Sequence, residues 1–222
     1  MSNKQNYQKI LDQILSNPES CGKRLLLHSC CAPCSSYVLV YLSRYFEITV
    51  FYYNPNITNR DEYQKREAEQ KRLIEQLNAE REAGDKRFPI HVMQAEYEPE
   101  AFCKIAKGHE KDPEGGERCF ACYALRLQKT AQAALEGNYD YFTTTLTISP
   151  LKNAEKLNNI GKKLGENMGV TYLLSDFKKK NGYLTSVGLS EKYQLYRQDY
   201  CGCEYSKIER ENQKKERNEE NL

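Results

Sequence analysis

Seven of the nine cysteines fall into three tight groups: Cys30, Cys31 and Cys34; Cys119 and Cys122; Cys201 and Cys203. Thiolates ligate soft transition metals, and a close pair of thiols can pass two electrons by closing a disulfide. Cys21 and Cys103 stand alone and read as small apolar residues. The opening stretch, "MSNKQNYQKILDQILSNPES", lacks a basic-then-apolar leader pattern, so the expected location is the cytoplasm. Thiols stay reduced there, which argues against a structural disulfide framework and for metal or redox chemistry.

Cys31-Ala-Pro-Cys34 and Cys119-Phe-Ala-Cys122 are both C-x-x-C pairs. Tetrahedral zinc and an iron–sulfur cluster both accept four thiolates, and these spacings do not separate them. Structural zinc sites use closely spaced halves, whereas an entire helix–strand–helix–strand passage lies between these two. Cys201-Gly-Cys203 is too short for a metal knuckle. Its two thiols can instead close a small, strained and therefore oxidising ring. Zinc has no redox role, so a redox pair beside a thiolate site favours iron–sulfur.

The elements that must position these thiols are legible in outline. "KRLLLHSC" is a short apolar run suited to a buried parallel strand. "SSYVLVYLSRY" follows as a helix beginning just after Cys34, with Ser35 or Ser36 as its N-cap. "EITVFYYNPNI" reads as a strand ended by Asn-Pro-Asn, "TNRDEYQKREAEQKRLIEQLNAE" as a charged helix with Leu73 and Leu77 inward, and "FPIHVMQAEY" as a third strand. A polar loop delivers "CFACYALRLQKTAQAALEG", a helix opening at its cysteine pair. "YDYFTTTLTIS" is a strand, "NAEKLNNIGKKLGENMG" a helix ending at glycine, and "VTYLLSDF" a further strand.

Residues 1–20 hold an N-terminal helix built on Ile10, Leu11, Ile14 and Leu15, residues 24–206 form the core, and the charged tail 208–222 is expected to fray. The stretch after "KKKNGY" reads as irregular. Alternating strands and helices imply an α/β fold with a mainly parallel sheet. Ligands in such sheets bind at the carboxyl ends of strands, where Cys30, Cys31 and Cys34 fall, and helix amides there are expected to lower thiol pKa values.

With 39% hydrophobic and 29% charged residues and a net charge of +2, the 222 residues read as a single domain with its own core. That charge is too small to announce nucleic-acid binding, and no apolar run is long enough to span a membrane.

Taken together, "LLLHSCCAPC", "FYYNPNI" with "EYQKR", "CFACYALRL", "TTTLTISPLKN" and "YRQDYCGCEYS" resemble, in that order, the QueH-type epoxyqueuosine reductases. The resemblance runs from about Arg24 to Ser206. It implies a Rossmann-like fold related to nucleotide α-hydrolases, a [4Fe–4S] cluster, and removal of the epoxide oxygen of epoxyqueuosine at the wobble position of tRNA. By motif match, Cys30, Cys31, Cys119 and Cys122 correspond to the cluster ligands, and Cys201 and Cys203 to a redox-active pair. Cys34 is carried as a candidate ligand to an additional iron ion, or as a spare thiol. Both cysteines of an adjacent pair can ligate only if the backbone turns, because neighbouring side chains of an extended chain point apart.

A tRNA substrate makes Tyr52, Tyr53, Asn54 and Asn56 candidates for a base pocket, and Ser149 and Lys152 for a phosphate contact. Lys178, Lys179 and Lys180 become candidates for the tRNA backbone. Arg197, Asp199 and Tyr200 flank the dithiol, and His28 is a strand-end histidine with a structural or proton-donating role. An unidentified electron donor completes the scheme. Two other classes stay open. A sulfurtransferase-like or adenylating tRNA enzyme would want a glycine-rich phosphate loop where Cys-Cys-Ala-Pro-Cys stands. A non-catalytic zinc-binding module would ignore the redox state of the dithiol.

Overall fold

The computed structural model describes residues 5–82 and 84–219. The first strand, β1 (Lys23–His28), lies at the centre of its sheet and sets the layering. Its leucines alternate in the period-two manner of a strand. Leu25 and Leu27 enter one core and Leu26 enters the other, all three fully buried. A strand buried on both faces has no polar side to spare, which is why "LLL" reads as a continuous apolar run.

Five strands form one all-parallel sheet in the order β3-β2-β1-β4-β5, with β2 at Phe46–Phe51, β3 at Ile90–Met93, β4 at Tyr141–Thr144 and β5 at Thr171–Tyr172. Helices α1 (Tyr7–Leu15), α2 (Ala32–Leu42), α3 (Arg60–Ala79) and α7 (Gly182–Lys192) contribute to the core on the Leu25/Leu27 side. Helices α5 (Glu117–Glu136) and α6 (Ala154–Met168) cover the other face. A short helix, α4 (Pro99–Ala106), packs Phe102 and Ala106 against Cys122 and Cys203. This is a Rossmann-like α/β fold. The order reverses between β1 and β4, so the crevice outside their carboxyl ends is the topological switch point at which such sheets bind ligands.

Three local expectations are corrected. Helix α2 starts at Ala32 with Cys31 at the N-cap, so Cys34 sits inside its first turn rather than before it. Ser35 and Ser36 are not caps; their hydroxyls donate back to the carbonyls of Ala32 and Pro33. The stretch expected to be irregular contains α7. The charged tail carries α8 (Glu204–Glu219). Positions 220–222 lie outside the described residues.

Helix α7 escapes pattern reading because its buried face is made of small residues. Gly182, Ser186 and Ser190, four apart, are buried where the helix lies close to α2. A Cβ at Gly182 would stand 1.9 Å from the Phe177 carbonyl oxygen and 2.7 Å from Tyr37 Cε1. Gly188, on the same helix, has nothing within 4 Å of that position. Gly182→Ala should therefore lower stability by about 2 kcal/mol or more through overpacking, whereas Gly188→Ala should raise it by about 0.5–1 kcal/mol. Urea midpoints of the two variants, followed by circular dichroism, check both signs.

Candidate active site

The chain leaves β1 at His28, and Ser29 N still donates to Phe51 O at 3.1 Å, as if extending the ladder. Cys30 N donates to Thr145 Oγ1 across the switch point at 3.4 Å. Cys31 is fully extended (φ −173°, ψ 161°), and the next residue is already helical. This change from strand to helix supplies the turn that adjacent ligating cysteines require. The Cys30 and Cys31 sulfurs lie 3.8 Å apart, and the Cys34 sulfur joins them so that all three fall within 4.8 Å of one another. Gln70 on α3 pins this junction. Its Oε1 accepts from Ser29 Oγ at 2.7 Å and from Ser35 Oγ at 2.9 Å.

Three crowded thiols do not ionise alike. S–H donation from Cys31 and Cys34 holds the Cys30 thiol well below its usual pKa, against burial and with help from the Arg126 charge. The partners move the other way. Hydrogen bonding to Cys30, with burial, pushes Cys31 up to about 12 and Cys34 well above its usual value. The expected lowering by helix amides therefore appears at one sulfur only, and its main cause is the neighbouring thiols.

Cys119 lies in the first turn of α5, where its sulfur accepts from Gly115 N at 3.3 Å. Cys122 follows one turn later, and Arg126 one turn after that. Burial raises both thiols, Cys122 to about 12. Arg126 is 1% exposed and has no carboxylate partner among the described residues. Its Nη1 lies 3.9 Å from Cys122 Sγ, its Nη2 donates to Asn54 Oδ1 at 2.5 Å, and its Nε lies 3.2 Å from His28 Nε2. The groups of opposite sign that act on it are Cys122, Cys201 and Cys30. A buried cation needs counter-charge, so this arrangement calls for an anionic thiolate centre. His28 is fully buried beside Thr144 Oγ1 (2.8 Å); burial and then the Arg126 charge lower its pKa to about 3. Burial and the neighbouring guanidinium both favour its neutral form.

The third group lies on a tight bend leading into α8. Gly202 has φ +121°, and a Cβ there would stand 2.8 Å from Ile57 Cγ1 and 3.1 Å from Arg66 Nη1. Glycine is required on both counts. Arg66, buried in α3 and paired with Glu62 at 2.6 Å, donates to Cys201 O at 3.2 Å. Cys203 precedes the first residue of α8, and its sulfur accepts from Ser206 N at 3.4 Å. Burial nevertheless leaves the Cys203 thiol raised. All nine cysteines are free thiols.

Two cavities meet here. A cleft of about 350 Å³ is lined by Cys30, Cys31, Cys34, Ser149, Arg197 and Tyr200, among others. A narrower one is lined by Asn56, Cys119, Cys122, Arg126 and Cys203. Cys201, Glu114 and Lys152 line both. Of the other residues singled out by sequence, Asp199 lines the cleft, and Lys152 is buried in an ion pair with Glu114 at 2.7 Å. Tyr52, Tyr53 and Asn54 are buried and do not line the cleft; Tyr53 packs on Phe51 on the α5 side of the sheet. Lys178 pairs with Asp176 at 3.0 Å and Lys180 with Asp12 at 2.7 Å, and Lys179 is exposed.

The sequence profile of the epoxyqueuosine reductase QueH family matches residues 25–209. The chain belongs to the epoxyqueuosine reductase QueH family. Its enzyme class is accordingly oxidoreductase. It is 43% identical over 205 residues to epoxyqueuosine reductase QueH of Staphylococcus epidermidis, covering 90% of this chain and 84% of the relative. The figures are 41% over 203 residues for the protein of that name from Streptococcus pyogenes serotype M1, covering 90% and 78%. For that of Thermotoga maritima they are 36% over 192 residues, covering 84% and 91%.

Sequence reading of this QueH-family chain missed Arg66, Gln70, Glu114 and Arg126. Only Arg126 carried a signal, since i, i+4 spacing on a helix places it on the face of Cys122. Arg126→Met removes the cation that the thiolates face. Metal bound per chain after anaerobic reconstitution should fall, and the potential of any centre that remains should move tens of millivolts lower. Arg126→Lys should recover part of both, as read by metal analysis and a redox titration. An unchanged potential in Arg126→Met would remove the electrostatic role.

Proposed function

We propose that this chain removes the epoxide oxygen of epoxyqueuosine at the wobble position of tRNA by a two-electron reduction, leaving the alkene of queuosine and water. The observation that carries the reading is the convergence of all three cysteine groups on two adjoining cavities at the switch point, with Cys201 on the wall of both. Cys30, Cys31, Cys119 and Cys122 are the proposed holders of a [4Fe–4S] cluster, and Cys34, beside Cys30 and Cys31, is the candidate ligand for an additional iron ion. The donor set fits: it is rich in thiols, largely buried, and faced by a buried guanidinium. A bound cluster supplies electrons one at a time, and a second iron supplies a Lewis acid for the epoxide oxygen.

The chain's own part is binding, electron balance and protons. The Cys201 and Cys203 dithiol becomes a disulfide, releasing two electrons and two protons. The epoxide carbon–oxygen bonds break, and the oxygen leaves as water. An external dithiol reductant, the unidentified electron donor, restores the pair. Gly202 and Arg66 hold the bend at which Cys201 lines the cleft. A tRNA-modifying role fits a cytoplasmic location, and no helix among the described residues is long and apolar enough to cross a membrane.

Iron, acid-labile sulfide and zinc should be measured per chain after anaerobic purification. About four sulfide and four to five iron per chain are expected, the content of one [4Fe–4S] cluster without or with the additional iron ion. Stoichiometric zinc without sulfide would favour the zinc-binding module instead. A Cys201→Ala, Cys203→Ala variant should keep the cluster but lose multiple turnover on epoxyqueuosine tRNA. Undiminished multiple turnover would remove the dithiol from the reaction.

A further inference from the structure

We propose that the RNA strand carrying the reacting base runs in one direction across the molecule. It passes from the thiol-lined cleft over an apolar rim at Leu151 and Tyr183, into an open groove beside Lys178 and Lys179. The proposal rests on the reading of an RNA substrate and deepens it.

The rim comes first. Leu151 is 71% exposed, Leu184 66% and Tyr183 36%, three of the six exposed large apolar side chains among the described residues. Leu151 and Tyr183 line the cleft, and Leu184 follows Tyr183 in the first turn of α7. Scattered exposed leucines need no explanation, but an apolar rim with one aromatic at the mouth of a thiol-lined cleft does. An unstacked nucleobase fits it, because every base presents a flat apolar face.

Next is continuity. Pro150, Leu151 and Lys152 line both the cleft and a second groove of about 630 Å³, which Lys178 and Lys179 also line. Residues 150–152 therefore form the ridge between two connected depressions, and the rim is a crossing point.

Charge then selects the occupant. Many cations of the region are already neutralised: Lys152 by Glu114, Lys178 by Asp176, Lys180 by Asp12 and Lys214 by Asp199. Three are not. Arg197 and Arg210, both on the cleft wall, donate to Ser190 Oγ and Gln213 Oε1, and neither has a carboxylate partner among the described residues. Lys179 in the groove has none either. Arg210 Nε and Gln198 Oε1, buried polar atoms of two cleft residues, lack a hydrogen-bond partner among the described residues. Cations outside any ion pair at the two ends of an apolar crossing suit a chain of phosphates whose base inserts between them.

The backbone supports the same segment. Lys180 (φ 51°) and Asn181 (φ 61°) are consecutive non-glycine residues in the left-handed region, immediately before Gly182 and Tyr183. Such a conformation is costly for side-chain-bearing residues, and here it fixes where Lys179 and Tyr183 stand relative to each other.

The test uses the anaerobically purified full chain and an anticodon stem-loop RNA with an unmodified wobble guanosine, followed by fluorescence anisotropy over a salt series. Tyr183→Ala with Leu184→Ala should weaken binding about tenfold at constant salt slope, the loss of one stacked base, and Tyr183→Phe should restore most of it. Lys179→Ala with Arg197→Ala and Arg210→Ala should make the salt slope shallower by about two, as expected for three lost single-strand phosphate contacts. Lys180→Ala, whose ammonium is held by Asp12, should leave the slope unchanged. Wild-type binding that survives the triple variant with its slope intact overturns this path. Absence of salt-dependent RNA binding by the wild type overturns the substrate reading itself.

Discussion

A guanidinium buried among thiols is the constraint on which the rest of this site depends. Arg126 has given up water and has no carboxylate to replace it. What it has is the amide oxygen of Asn54, the neutral His28 and the sulfurs of the cysteine groups. In a low-dielectric interior such a cation is tolerable only if the sulfur centre carries negative charge, and the sulfur centre is more easily ionised because the cation is there. Each side makes the other affordable, so the site holds together as a unit.

Topology explains why these parts can meet at all. Cysteines on either side of residues 35–118 share one site because β1 and β4 are neighbours and the strand order reverses between them. The loops after β1 and β4 meet through Cys30 and Thr145, and the N-terminal end of α5 arrives from the polar loop ahead of it. The bend at Cys201–Cys203 is not part of the sheet. Buried Arg66 reaches it from α3, and α8 secures it through Cys203 and Ser206. The bend is therefore held by side-chain contacts rather than by a strand ladder.

Much of the site was legible before any coordinates. Clustered cysteines at metal-ligand and dithiol spacings already pointed to metal or redox chemistry, and "KRLLLHSC" placed the first group at a strand end. The alternation of apolar runs with charged helices also determined the α/β class. These signals survive because they are local: residue type, spacing and periodicity are properties of a few consecutive residues.

Tertiary structure decided the rest, for a physical reason in each case. The start of α2 moved to Ala32 because an extended Cys31 caps it without a side-chain hydrogen bond, which no capping preference announces. Helix α7 was invisible because close packing on α2 needs small residues, which carry no hydrophobic period. Tyr52, Tyr53 and Asn54 left the pocket because strand ends can turn inward as readily as toward a ligand. The pairing of Lys180 with Asp12 and of Lys152 with Glu114 joins residues 168 and 38 positions apart. The sequence by itself determined which atoms could do chemistry. Only the folded chain decided which of them share a cavity and which charges remain free, because burial and counter-charge are properties of three-dimensional neighbours.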